Sequence, residues 1–284
     1  PVFWAVATVT AADLVPKPQR SRAVALVFAG LSAATVLGVP LGTFIADLWG
    51  WRSTFFVIAG MSIIALLGIA IYLPSVPAQT TTGLKQQLQV LHRKSLWLGL
   101  LSNSLLLAGM FTSYTYLAEF LTEVTKLDRQ WISLMLLLFG ATGLVGNWLA
   151  GQGLDRNPLR TTRLIMISLA VVTALTMQAG TTFHLMLPVL LLWGLIHTGC
   201  FVVTQVRAIS LAPEAPELAG SLNVSMGNIG IALGSALGGW VIRTMSIQVI
   251  GGAGAIVLLL AIALTWVGTR QKPAVRSMLS SAKH

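Results

Sequence analysis

The chain has 284 residues, of which 55% are hydrophobic and 9% are charged, and it carries a net charge of +10. Its mean hydropathy is +0.82, far more apolar than a soluble domain, in which about 25% of residues are charged. Lipid is therefore the solvent, which excludes a cytosolic enzyme, a nucleic-acid-binding domain and a secreted disulfide scaffold. The single cysteine, Cys200, has no partner for an internal disulfide.

The chain opens at Pro1 without a methionine and is apolar from its first residues, so a further N-terminal piece is expected. Nine segments are apolar over lengths that suit a spanning helix: 1–14, 23–46, 53–73, 96–118, 131–153, 163–180, 184–206, 219–242 and 247–268. They are too long and too uniformly apolar for barrel strands, so the expectation is an all-α polytopic bundle. Successive spans must alternate in direction. The connections 15–22, 74–95, 154–163, 207–218 and 269–284 then share one side and hold 14 of the 18 lysines and arginines. Arg52, Lys126, Arg129 and Arg243 lie on the other side. This bias places the C-terminus in the cytoplasm and makes the basic excess a topology device. The stretch 75–95, with Pro77 and the run His92-Arg93-Lys94, reads as a cytoplasmic linker with a short surface helix around Leu84–Leu91. It separates a unit at 1–74 from one at 96–268, with a tail at 269–284.

The polar residues inside the spans come next. In 23–46, Pro40 removes a helical hydrogen bond and should bend the helix, with Gly38 and Gly42 relieving crowding around it; the bend either serves packing alone or controls rocking. In 96–118, Asn103, Met110 and Tyr114 share a stripe. Tyr116 lies nearer the end, where an interface role and a solute role both fit. In 184–206, His197, Phe201, Thr204 and Gln205 lie on roughly one face. His197 is either a bonded packing residue or a proton carrier. In 219–242, Gly220, Gly227, Gly230, Gly234 and Gly238 fall within an arc of about 80° on the helical wheel. Ser221, Ser225, Asn228 and Ser235 cluster on another face. The glycine face suits close packing in lipid; the polar face lines a pore, or its serines bond back to their own carbonyls.

All eight acidic residues fall at helix ends or in loops. Asp155 is expected to accept bonds from a neighbouring helix N-terminus, or to pair with Arg156 or Arg160, and so brace a gate. No metal-ligand spacing and no phosphate-binding loop is present. The expectation is a transporter, not an enzyme, without a metal or cofactor.

An offset of 197 aligns Leu14-Val15-Pro16 with Leu211-Ala212-Pro213, Gly30 with Gly227 and Gly42 with Gly239. Two parallel six-helix repeats are a transporter plan, and the offset would place three helices before the first. Four stretches then resemble the major facilitator superfamily, and more narrowly the sugar-efflux and arabinose-efflux permeases of its drug:proton antiporter branch. They are Phe3-Trp4 with Leu14-Val15-Pro16 and the basic run to Arg22; Gly38-Val39-Pro40-Leu41-Gly42 with Gly50-Trp51-Arg52; Gly151-Gln152-Gly153-Leu154-Asp155-Arg156 with Arg160; and Trp193-Gly194 with the run from Gly220 to Gly239. Val39 before Pro40 and Thr43 after Gly42 depart from the commonest antiporter pattern.

The resemblance implies helices 4 to 12 of a 12-helix major facilitator fold lacking the first three. It also implies a monomer in the bacterial inner membrane that exports a sugar-like solute in exchange for protons. The candidate solute contacts are Asn103, Met110, Tyr114, Tyr116, His197, Phe201, Gln205 and Asn228. The candidate gating positions are Gly38, Pro40, Gly42, Asp155, Arg156, Arg160, Gly227 and Gly234. The family's helix 4 arginine and helix 1 acid would lie upstream of Pro1. The rivals are a multidrug exporter of the same fold and a non-transporting membrane partner.

Overall fold

The computed structural model describes residues 2–73 and 88–270, and among them there is no strand. The chain runs through α1 (Val2–Asp13), α2 (Arg20–Trp49) and α3 (Trp51–Tyr72). A short turn of 3-10 helix at Val90–His92 leads into α4 (Lys94–Tyr114), α5 (Leu117–Glu123) and α6 (Arg129–Arg156). Then come α7 (Pro158–Ala179), α8 (Phe183–Leu211), α9 (Pro216–Thr244) and α10 (Ile250–Arg270). Seven stretches among the described residues are long and apolar enough to cross a membrane. The first part of the surface helix expected around Leu84–Leu91, residues 84–87, and most of the tail lie outside the described residues, as does the Pro40 side chain.

Local chemistry sets several boundaries. Pro158 and Pro216 open α7 and α9, positions where a missing N–H costs nothing. Asn157 caps α7 by accepting from the Arg160 N–H at 3.1 Å. The span expected at 96–118 is interrupted: α4 ends at Tyr114 and a turn leads into α5. There the Thr115 hydroxyl bonds back to the Phe111 carbonyl at 2.7 Å. Only Gly50 separates α2 from α3, and it sits at φ 79°, where a side chain is strained. Gly50→Val is expected to destabilise this hairpin by about 1–2 kcal/mol and to lower the melting temperature in lipid nanodiscs. An unchanged melting temperature would show that the hairpin carries no such strain.

Between helices in lipid there is little hydrophobic drive, so close approach through small residues has to hold them together. Along α9, a Cβ on Gly230, Gly234 or Gly238 would strike the carbonyl of Ser104, Ala108 or Thr112 on α4. Both series advance by four residues in the same direction, so α4 and α9 are parallel. The expected glycine face is thus a packing seam. A second seam joins α6 to α8, where a Cβ on Gly146 would strike the Leu195 carbonyl. The Thr198 hydroxyl there donates to the Gly143 carbonyl at 2.6 Å. Gly38 has nothing within 4 Å of its Cβ position, and Gly42 has only Thr54 Cγ2 at 3.6 Å. Neither therefore relieves a close approach by another described helix. The main apolar core lies inside α4–α10, around Phe120, Leu169, Leu190 and Trp193.

Candidate functional site

A cavity of about 450 Å³ lies between α2, α4, α6, α8 and α9. Helical spacing builds each wall: Leu107, Phe111 and Tyr114 from α4, His197, Phe201, Thr204 and Gln205 from α8, Asn223, Gly227, Asn228 and Ile231 from α9. Among the described residues no Asp, Glu, Lys or Arg lines it.

One end is aromatic. The His197 ring, 3% exposed, has the ring centroids of Tyr114 at 4.3 Å, Phe139 at 5.3 Å, Phe111 at 5.8 Å, Phe201 at 6.2 Å and Trp193 at 6.4 Å. Phe28 of α2 stacks on Phe201 at 6.1 Å. His197 Nδ1 has no hydrogen-bond partner among the described residues.

The other end is a chain of amides. The Asn103 amide N–H₂ donates to the Thr204 carbonyl at 3.0 Å and to Asn223 Oδ1 at 2.8 Å. Asn223 donates to Gln205 Oε1 at 2.9 Å, and Gln205 donates to the Thr8 hydroxyl at 3.0 Å. A carbonyl only accepts, so the Thr204 contact fixes the orientation of Asn103 and, through it, of the whole chain.

Of the residues singled out in the sequence, Tyr114, His197, Phe201, Gln205, Asn228 and Gly227 come together around the cavity. Asn103 stands behind the wall at 1% exposure, and Met110 is fully buried in the core. Tyr116 donates to the Ser235 carbonyl at 2.9 Å, which ties the turn between α4 and α5 to α9. Ser225 bonds to its own helix at Ser221. Phe28, Phe111, Phe139, Asn147 and Asn223 also line the cavity, beyond the candidates the sequence offers. Phe111 stands one turn from Tyr114 and is within the sequence's reach; nothing local marks the others.

At the basic end α6 closes against α2. Asp155, at the end of α6, accepts from the backbone N–H groups of Ser21 at 2.8 Å and Arg22 at 3.3 Å. It thus caps the N-terminus of α2, where anionic charge is stabilised. Its ionic partner is Arg22, at 3.5 Å, rather than Arg156 or Arg160. A Cβ on Gly151 would fall 2.7 Å from Ala25 Cβ, so glycine there lets α6 approach α2. Val24, Ala25, Phe28, Ala150, Leu154, Val202 and Val203 form an apolar plug above this contact.

The family model described as Major Facilitator Superfamily matches residues 1–223. The chain belongs to the major facilitator superfamily. It is 32% identical to the inner membrane transport protein YdhP of Escherichia coli K12 over 273 residues, covering 95% of this chain and 70% of that protein. It is 31% identical to a probable sugar efflux transporter of Helicobacter acinonychis, covering 92% of this chain and 67% of that one. The fold matches the crystal structure of a bacterial homologue of the iron transporter ferroportin in its outward-facing state. That match has a TM-score of 0.69 at 14% identity and covers 92% of this chain and 67% of that one. The chain is accordingly an all-α, multi-pass membrane protein of a transporter superfamily.

Proposed function

We propose that this facilitator-superfamily chain carries a small polar, sugar-like solute out of the cell in exchange for protons, by alternating access. The carrying observation is the cavity itself. Aromatic faces at one end suit the apolar face of a sugar ring, and amides at the other suit its hydroxyls. The closed basic end and the sugar-efflux name of a relative support the same reading. The charge bias supports an inner-membrane protein with the basic end and C-terminus in the cytoplasm. The bilayer, the solute and protons are its partners, with no cofactor beyond the proton gradient and with the monomer as the working unit.

Among the described residues lining the cavity, His197 alone has a side chain that ordinarily changes charge between pH 5 and 8. It is assigned the proton. In proteoliposomes, a pH gradient should drive labelled hexose against its concentration gradient. His197→Gln should lower that driven accumulation at least tenfold and leave hexose exchange at zero gradient within about twofold. Equal pH-driven accumulation by both proteins would remove His197 from proton coupling. Absence of hexose flux altogether would remove the sugar reading. Four phenyl rings in the wall, Phe28, Phe111, Phe139 and Phe201, favour a multidrug exporter as the second reading. Proton-driven ethidium export without hexose export would establish it.

A further inference from the structure

A second cavity, of about 300 Å³, lies at the basic end and is lined by Val9, Ala12, Arg20, Val206, Ile209 and Ser210 among others. It approaches the solute cavity along two helices at once. On α8, Gln205 lines the solute cavity and Val206 lines the second one. On α1, Thr8 bonds to Gln205, and Val9 lines the second cavity. At this level Gln205, on the wall of the solute cavity, bonds to Thr8, next to the wall of the second cavity. Both residues are fully buried, with Asn103 and Asn223 at 1% and 5% exposure behind them.

Thr8 and Gln205 are also 197 residues apart, the offset that relates the two halves of the internal repeat. By that offset they are equivalent positions in α1 and α8, and their bond joins α1–α3 to α4–α10. A bond there is broken when the two units part at the basic end.

We propose that the Gln205–Thr8 bond is the thin gate between the solute cavity and a preformed vestibule at the basic end, with Asn223 and Asn103 as positioning residues that hold the Gln205 amide toward Thr8. The inference rests on the alternating-access reading for its purpose, but not for its test. The Asn103 contact to the Thr204 carbonyl sets the polarity. With Asn103 donating, Asn223 must accept from it and donate onward, and Gln205 is left with its N–H₂ aimed at Thr8. A solute bonded to Asn223 or Gln205 from the cavity side competes with this chain and loosens the gate.

The test needs no solute. In the full chain with its one cysteine replaced (Cys200→Ala), a reporter cysteine at Val224 in the solute cavity is labelled by a membrane-impermeant maleimide. The reagent is added from the side that carries the basic end. Ser210→Cys, in the vestibule, is the control and should label alike in every background. Thr8→Val should speed labelling at position 224 by about fivefold to tenfold, the range one buried hydrogen bond supports. Thr8→Ser, which keeps the hydroxyl, should leave it near the native rate. Asn103→Leu, which touches neither space, should speed it by at least twofold.

Equal rates in Thr8→Val and the native chain overturn the gate. Equal acceleration in Thr8→Ser and Thr8→Val also overturns it, because packing rather than the hydroxyl would then close the path. A native rate in Asn103→Leu overturns the positioning role. If the labelling results hold while no solute crosses the native protein, the transport reading fails and the gate stands. If transport is normal and the labelling results fail, the reverse is true.

Discussion

Gly146→Leu is expected to prevent the helices from assembling as they do here. A Cβ at this position would land on the Leu195 carbonyl of α8, and backbone cannot give way as the end of a flexible side chain can. Pushing α6 from α8 also breaks the Thr198–Gly143 bond. It draws Phe139 away from Tyr114, Trp193 and His197, whose rings it touches at 5.3 to 5.7 Å. The expected cost is upward of about 3 kcal/mol. It should appear as loss of monodisperse protein on gel filtration and a melting temperature lowered by more than about 5 °C. Gly146→Ala should be milder but still destabilising, since its methyl group meets the same carbonyl. A Gly146→Leu protein that purifies and melts like the native one would show that the α6–α8 crossing is not set by this contact.

Asp155→Ala is expected to open the basic end. It removes the acceptor for two backbone N–H groups at the start of α2 and the partner of Arg22. Loss of a helix cap costs about 1 kcal/mol, and loss of anionic charge at a helix N-terminus costs about 0.3–1 kcal/mol more. Together they should shift the balance between closed and open basic ends by about tenfold. Asp155→Asn keeps one acceptor oxygen and should shift it about half as far in free energy. Spin labels on α2 and α6 near the basic end would report the two populations as distances. A native distance distribution in Asp155→Ala would mean that the apolar plug of Val24, Ala25, Leu154 and Val203 closes the end without help.

Much of this arrangement is legible in the sequence, for a physical reason. In lipid every backbone polar group must be bonded within its own segment, so apolar length alone locates the helices. The spacing of small residues then marks which face packs, as Gly230, Gly234 and Gly238 do. Helical period gives a residue's face but not what stands opposite. For that reason Asn103 and Met110 share the Tyr114 stripe and yet are covered, by Asn223 and by the core. Tyr116 reaches α9 from the turn that follows Tyr114, a break no proline or glycine announces. Thr8 and Asn223 are silent in the sequence, since each becomes informative only through Gln205, which reaches them across 197 and 18 residues. At Asp155 the sequence shows an acid near a helix end, while the N–H it caps, that of Ser21, lies 134 residues earlier.

The seam between α4 and α9 has a mechanical consequence. Its glycines stand one turn apart against carbonyls one turn apart, like the teeth of two meshed racks. A small slip would drive side chains into backbone, so the pair can shift only by a whole turn or not at all. These two helices therefore travel as a single rod. Any motion that exchanges one cavity mouth for the other must be taken up at softer joints, where Asp155 meets α2 and where Gln205 meets Thr8.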